Sequence, residues 1–180
     1  RFATASFEAR FPFGMVTLKD PNVPLDVAIK GWSPFIPGDA DASSLPVAGL
    51  EFTFRNRSGK PVDAVYSFNA RNFMATSKGQ AIRAAPGGFV LWEAGPADKP
   101  WEQGAFCAAS TDPATAVDAA WFRGGFWDPL TLAWKAVEAG ESRKRAPVTE
   151  GEPSTGGSLY VPFKLGAGKE KTVRILFSWY

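Results

Sequence analysis

The sequence predicts an all-β fold, an antiparallel β-sandwich of many short strands with one or two short helices inserted in loops. Two observations carry this prediction. Apolar residues recur at every second position in several runs, which is the period of a half-buried strand. Turn-forming Gly and Pro residues, 18 and 15 of the 180 residues, separate these runs at short intervals. We therefore predict one sandwich domain over residues 1–180.

The clearest strands lie between residues 47 and 70. Leu50, Phe52 and Phe54 alternate with polar residues, a turn-rich stretch follows over residues 56–61, and the alternation then resumes. This pattern predicts a β-hairpin. Similar runs predict further strands at residues 11–18, 25–30, 89–93, 104–109, 159–165 and 173–179, with turns at 78–80 and 166–168. Pro162 cannot donate a ladder hydrogen bond, so we expect its strand at an edge or a bulge.

Two Asp-Pro pairs predict short helices. Asp112 and Asp128 each precede a proline, and an aspartate N-cap followed by proline at the first helical position favours a helix start. We expect one helix over residues 114–122 and another from Pro129 to just before Gly140.

Two loops complete the prediction. The Pro-rich stretch 32–46 should be stiff, extended and non-helical, and the polar stretch 141–158 should be a flexible loop.

Charge and hydropathy exclude several classes of partner. The net charge of +2 gives no reason to expect nucleic acid or an anionic membrane. No apolar run approaches the ~18 residues of a membrane span. The basic cluster at residues 143–145 is flanked by Glu141 and Glu150, which is typical of a solvated loop. The chain begins on Arg1 and ends inside a strand-like run, so we expect a piece of a longer polypeptide.

The residue types present exclude most catalytic centres. Histidine is absent, which removes Ser-His-Asp and Cys-His systems and most zinc sites. The single cysteine, Cys107, allows no intrachain disulfide, does not fix the compartment, and reads as a buried inert thiol. Asp39-Ala-Asp-Ala-Ser43 resembles the start of a calcium loop, but Ser44 and Leu50 stand where that loop needs Gly and Glu. We expect local turn hydrogen bonds there, and no metal or cofactor site.

Carboxylates and tryptophans leave two carbohydrate-related functions open, hydrolysis of a glycoside and binding of a sugar. Glycoside hydrolysis needs two carboxylates roughly 5–9.5 Å apart, and among 18 acidic residues composition singles out no pair. Planar indoles can stack on sugar rings, and Trp92, Trp101 and Trp127 fall in or near loops. They are the candidates for a sugar platform, although tryptophan more often serves in a core or an interface.

Residues 11–70 resemble the amino-terminal domain of family 116 glycoside hydrolases. The resemblance concentrates in Trp32-Ser-Pro-Phe-Ile-Pro-Gly-Asp39 and Ser44-Leu-Pro-Val-Ala-Gly-Leu-Glu-Phe52. That family includes the non-lysosomal glucosylceramidase, also called bile-acid β-glucosidase, and bacterial and archaeal β-glucosidases. The resemblance implies a two-domain retaining enzyme in which this sandwich packs on a carboxy-terminal (α/α)6 barrel. The barrel carries both catalytic acids, so no catalytic residue is assigned to this chain.

The resemblance also implies a domain interface, and β-glucoside substrate is a candidate partner at the domain boundary. We place the interface in residues 33–46 and 120–134, where stiff or helical segments carry aromatics that a lone sandwich has trouble burying. The candidate interface residues are Trp32, Phe35, Ile36, Asp39, Trp121, Phe126, Trp127 and Trp134. Two alternatives remain open, a free-standing sugar-binding module and an adhesion-type structural sandwich.

Overall fold

Alternating sequence forms strands along most of the chain. The computed structural model describes residues 2–75 and 80–180. Within these residues the strands are β1 (Thr4–Arg10), β2 (Phe13–Lys19), β3 (Leu25–Trp32), β4 (Val47–Asn56), β5 (Val62–Arg71), β6 (Gln80–Ala85), β7 (Gly88–Glu93), β8 (Gly104–Ser110), β9 (Ala116–Asp118), β10 (Gly156–Leu165) and β11 (Glu170–Trp179). The helices are α1 (Ala40–Ser43) and α2 (Pro129–Glu138), with a 3-10 turn at Pro100–Glu102. One sheet has eight strands and the other three, which confirms the predicted all-β, sandwich-like class. No helix in these residues is long and apolar enough to cross a membrane.

The chain divides into two compact units, and the first contains the residues up to Ala64 together with Phe163–Phe177. Its strands follow the order β1-β2-β3-β4-β11, and β1 to β4 pair antiparallel. Val16 lies opposite Ile29, and Ile29 lies opposite Phe52. The apolar phase of each strand therefore lines one face of the sheet, as the period of two predicts.

Asn56 fixes the end of β4 in this unit. Its side chain is fully buried, and its Nδ2 group donates to the carbonyls of Lys60 and Leu165 at 2.7 and 3.0 Å. Its Oδ1 atom accepts from the backbone N–H and the hydroxyl of Ser58 at 2.9 and 2.7 Å. One side-chain amide thus forms hydrogen bonds both with the turn after β4 and with the last residue of β10. Nearby, the Phe54 and Phe163 rings pack at a centroid distance of 5.2 Å.

The second unit comprises Val65–Pro162 together with Ser178–Tyr180. Its part of the large sheet has the order β8-β7-β6, and β5, β10 and β9 form the smaller sheet. Phe89 on β7 is fully buried and stacks on Phe68 at 6.4 Å. A Cβ atom at Gly157 of β10 would lie 2.8 Å from the Phe89 ring. Glycine is therefore what lets this strand approach the ring so closely.

The predicted hairpin is correct in its strands and wrong in its pairing. Strands β4 and β5 form where expected, but they belong to different sheets, and β4 pairs with β3 while β5 lies beside β10. An alternating pattern specifies which face of a strand is buried, and it is the same for any partner strand. The turn at residues 56–61 consequently carries the chain from one sheet to the other.

The predicted helix over residues 114–122 is wrong. Asp112 does organise a turn, because its Oδ1 accepts from the Ala114 N–H at 3.0 Å and its carbonyl accepts from Thr115. The chain then enters β9, whose Val117 lies opposite Leu159 of β10. An aspartate turn is shared by helix starts and loops, and pairing with β10 decides between them here.

The prediction for one loop also changes. The stretch 32–46 is not wholly extended, because it contains the short helix α1 after an isolated bridge between Ile36 and Asp39. The edge position expected for the strand of Pro162 is wrong, because β10 is the middle strand of the three-stranded sheet. The proline is tolerated there because it lies two residues beyond Ser158–Tyr160, the part of β10 that pairs with β9. Of the turn predicted at residues 78–80, residues 78 and 79 lie outside the described part of the chain.

Replacing Asn56 by Ala tests this account of the first unit. The change leaves the buried carbonyl of Leu165 without this donor and removes one of the two donors to the Lys60 carbonyl, so we expect a loss of roughly 3 kcal/mol in the free energy of unfolding. Asn22 is exposed, and Asn22→Ala should change stability by less than about 0.5 kcal/mol. Urea unfolding of both variants measures the difference, and equal effects would refute the role given to Asn56.

Candidate functional site

Helix α2 carries two large exposed apolar side chains of the second unit, Leu130 and Trp134. Asp128 caps it, with Oδ2 accepting from the Thr131 N–H at 2.7 Å and from its hydroxyl at 2.9 Å, and Pro129 takes the first helical position. The residues buried within the helix are Ala133 and Ala136. The predicted helix is thereby confirmed, together with its cap. Its fully buried positions carry small side chains, and Leu130 and Trp134 are left exposed.

We define the aromatic patch as Phe126, Trp127, Leu130 and Trp134. These side chains are 95%, 62%, 51% and 60% exposed. Leu130 and Trp134 are four residues apart and lie on one helix face. The Trp134 indole N–H donates to Glu138 Oε1 at 2.8 Å. This bond, one turn along the helix, restricts the ring to one side of α2.

An apolar cavity of about 370 Å³ borders this patch. Leu130, Trp134 and Val137 of α2 line one side of it, and Asn69 of β5 contributes a polar group. The Asn69 Oδ1 atom is buried and has no hydrogen-bond partner within the described residues, while its Nδ2 donates to Ser67 at 3.1 Å. The patch is therefore a grooved surface rather than a flat one.

The loop before β4 presents a second exposed apolar surface, in the first unit. Phe35, Ile36 and Leu45 are each about half exposed, and the Phe35 ring meets Phe11 edge-on at 4.7 Å. Asp39 is exposed and caps α1, accepting from the Ala42 N–H at 2.9 Å.

Ser43 ties this loop together. Its hydroxyl accepts from the Ile36 N–H at 3.0 Å and donates to the Ile36 carbonyl at 3.2 Å. The local hydrogen bonds expected for the Asp- and Ser-rich segment are thus present, and they hold Ile36 in place at the surface.

Trp32 and Trp121 differ from the other candidate interface residues. Trp32 is half-buried, and its indole lies where a side chain at Gly49 would stand. Trp121 is 3% exposed, and its Nε1 group donates to the Ser158 hydroxyl at 2.9 Å. Its backbone N–H donates to Ser154. The Trp121 ring is thus part of the core of the second unit.

The three candidate platform tryptophans have different surroundings. The Arg83 guanidinium lies 3.7 Å above the Trp92 ring, which covers one face of that half-buried indole. Trp101 is 76% exposed in the 3-10 turn. Trp127 is exposed, with the Lys135 ammonium 5.6 Å from its ring centroid. The rings of Trp101 and Trp127 offer the more open faces.

Cys107 lies half-buried on β8. Burial raises the pKa of its thiol, although a hydrogen bond with the Ser178 side chain acts in the opposite direction. A raised pKa lowers the thiolate fraction at neutral pH, and the thiolate is the nucleophile. This environment fits the inert thiol that the apolar sequence context predicts.

A second cavity, of about 300 Å³, is lined by charged residues, among them Arg143 and Arg145 of the basic cluster that we expected in a solvated loop. The Arg145 guanidinium holds the buried carboxylate of Asp118 through two bonds, of 2.9 and 2.6 Å. Arg145 also exchanges backbone hydrogen bonds with Val117 and Ala119 of the β9 segment. The loop 141–155 is thus attached to the sheet at this point, and a sequence pattern could not reveal a pairing between residues 27 positions apart.

Fold and surface together define an all-β, sandwich-like domain with an exposed aromatic surface beside a short helix. The family model described as beta-glucosidase 2, glycosyl-hydrolase family 116 N-term, matches residues 2–180. The chain therefore belongs to glycosyl-hydrolase family 116, as its N-terminal domain, and the resemblance drawn from residues 11–70 is confirmed. None of the curated proteins compared with the chain matches it.

The Asp128 cap predicts a pH-dependent stability. The backbone N–H of Thr131 donates to the carboxylate and lowers the pKa of Asp128 below its usual value. A lowered folded-state pKa gives stability that is present above the ordinary aspartate pKa and is lost as the pH falls through the lowered value. The melting temperature of the native chain should therefore exceed that of Asp128→Ala at neutral pH, and this difference should shrink on acidification.

Asp128→Asn is the matched control for this measurement, because asparagine caps a helix without titrating. Its melting temperature should exceed that of Asp128→Ala by an amount that does not depend on pH. Thermal unfolding of the three proteins between about pH 2 and pH 7 measures both differences. A native-minus-Ala difference that stays constant over this range would contradict the role given to the charged cap.

Proposed function

We propose that residues 1–180 are the non-catalytic amino-terminal domain of a retaining β-glucosidase-type enzyme of family 116. The domain supports a carboxy-terminal (α/α)6 catalytic barrel in the same polypeptide. The family match supports treating both compact units as one domain, because it runs through both of them. β-Glucosides are the proposed substrate class of the whole enzyme, and glucosylceramide is the member of that class to test first.

The aromatic patch is the observation that carries this proposal. Four large apolar side chains stand exposed between residues 126 and 134, beside an apolar cavity. Leu130 and Trp134 line that cavity, and exposed apolar surface with a groove is typical of interaction sites. Tryptophans commonly supply much of the binding energy in such interfaces. We assign the patch to the contact with the barrel.

The loop before β4 is the second proposed contact. Phe35 and Ile36 are presented at the surface by the bonds of Ser43 and the α1 cap. Because the loop is held by its own hydrogen bonds, little conformational entropy is lost when a partner covers it. Preorganised apolar side chains of this kind suit a permanent contact between domains.

Two buried carboxylates, those of Asp118 and Asp20, support a structural role for this chain. Asp118 is bound by Arg145, and Asp20 accepts the backbone N–H of Asn22 at 2.8 Å. Both act as acceptors that fix neighbouring backbone or side chains. We assign the catalytic acids to the barrel, and none to these residues.

A free-standing sugar-binding module is the second candidate function. The exposure of Trp101, the highest among the candidate platform residues, is the observation that favours it. An exposed indole face can pack against the apolar C–H face of a pyranose ring. This candidate requires that the isolated chain bind glucosides through Trp101.

Trp134→Ala tests the docking proposal, with Trp101→Ala as its matched control. Both rings are exposed in this chain, so neither change should alter the unfolding of the isolated chain by more than about 0.5 kcal/mol. In the full enzyme, Trp134→Ala should destabilise the attachment of the domain by about 2–4 kcal/mol, seen as a lower melting temperature. Trp101→Ala should leave that temperature unchanged.

Three results would contradict the proposal. The first is a Trp134→Ala enzyme that melts as the native enzyme does. The second is calorimetric binding of cellobiose by the isolated chain that disappears in Trp101→Ala, which would favour the sugar-binding module. Hydrolysis of an aryl β-glucoside by the isolated chain would refute the non-catalytic assignment.

A further inference from the structure

The charged cavity beside α2 is built differently from the aromatic patch. We call it the basic cavity and define it by Lys135, Arg143 and Arg145, with Asp118 and Glu141 as the carboxylates in its lining. Three cations against two carboxylates leave one net positive charge. The volume of about 300 Å³ is at the lower end of the range for small-molecule sites.

Both guanidinium groups are fixed in place by carboxylates. Arg145 uses two N–H groups on Asp118, which is 1% exposed. Arg143 donates its Nε hydrogen to Glu141 Oε2 at 2.6 Å, and this carboxylate raises the pKa of Arg143. Since a guanidinium carries five N–H donors, three remain on Arg145 and four on Arg143.

The walls of the cavity limit what can enter. Trp121 and Tyr160 line it, and both are buried, so part of the site is an apolar wall. The hydrogen bond from the Trp121 indole to Ser158 fixes that ring. The cavity therefore offers oriented cationic donors next to rigid aromatic surface.

We propose that the basic cavity binds a small organic oxyanion, a carboxylate or a phosphate monoester. The planar forks of Arg143 and Arg145 match the paired oxygens of either group. Carboxylates hold both guanidinium groups in place before a ligand arrives, so little side-chain entropy is lost on binding. The two carboxylates offset the charges of the two arginines, and the ammonium of Lys135 provides the remaining positive charge. This proposal does not depend on the assignment of the aromatic patch.

Calorimetry with three related ligands tests the proposal and separates the two sources of the oxyanion. Glucose is the neutral reference, glucuronate adds a carboxylate, and glucose 6-phosphate adds a phosphate. We expect the chain to bind at least one of the two anions, and about tenfold or more tighter than glucose, because hydrogen bonds to charged groups are the stronger ones. The anion that binds tighter identifies the source.

Arg143→Gln and Lys144→Gln form a matched pair for the same measurement. Each removes one positive charge from the same loop, but Arg143 lines the cavity and its neighbour is not among the residues that define it. Arg143→Gln keeps the Arg145–Asp118 pair, so the fold should persist. We expect it to weaken anion binding about tenfold or more, with little change in Lys144→Gln.

Nuclear magnetic resonance locates the binding. The indole N–H signal of Trp121 should shift on titration with the bound anion, because that ring lines the cavity. The proposal would be overturned if neither anion gave a heat of binding at a concentration of about 10 mM, which is ten times the roughly millimolar Kd of a weak ligand. Equal losses in the two variants, or binding that leaves the Trp121 signal unmoved, would also overturn it.

Discussion

Helix α2 buries two alanines and leaves its largest apolar side chains in solvent, and the functional account depends on this constraint. Ala133 and Ala136 allow the helix to lie close to the rest of the second unit. The Asp128 cap fixes where the helix begins. Trp134 and Leu130 are then held on the outward side. Burial of such rings stabilises a complex in rough proportion to the apolar area removed from water. A partner that covers this surface therefore gains a large share of its binding free energy here.

The same helix borders a second site of different chemistry. The ion pair of Arg145 with Asp118 attaches the loop after α2 to the strand β9, and this attachment gives the basic cavity its fixed wall. Removing one partner of such a pair leaves a charge poorly solvated, which costs more than the pair itself contributes. The apolar and the charged sites are therefore independent in chemistry, and variants can address each of them separately.

Local patterns predicted local structure well, and pairing between distant segments escaped them. The cap and spacing of α2 depend on neighbours within a few residues, and they were read from the sequence. Which strand pairs with β4 is decided by segments far away in the chain. Whether residues 114–122 form a helix or a strand is likewise decided by pairing with the distant strand β10. Trp121 and Trp134 look alike in the sequence, but only the second is exposed. The flanking Glu141 and Glu150 predict a solvated loop around Arg145, and no local pattern indicates its partner Asp118, 27 residues away.

Hydroxyl-radical footprinting of the isolated chain and of the full enzyme tests the central claim most directly. Side chains of the aromatic patch are exposed in this chain, so Trp134 and Phe126 should be oxidised readily in the isolated chain. In the full enzyme a barrel should cover these side chains and clearly lower their oxidation, while Trp101 should react equally in both proteins. Equal oxidation of Trp134 in the two proteins would contradict the claim that the patch meets the catalytic domain.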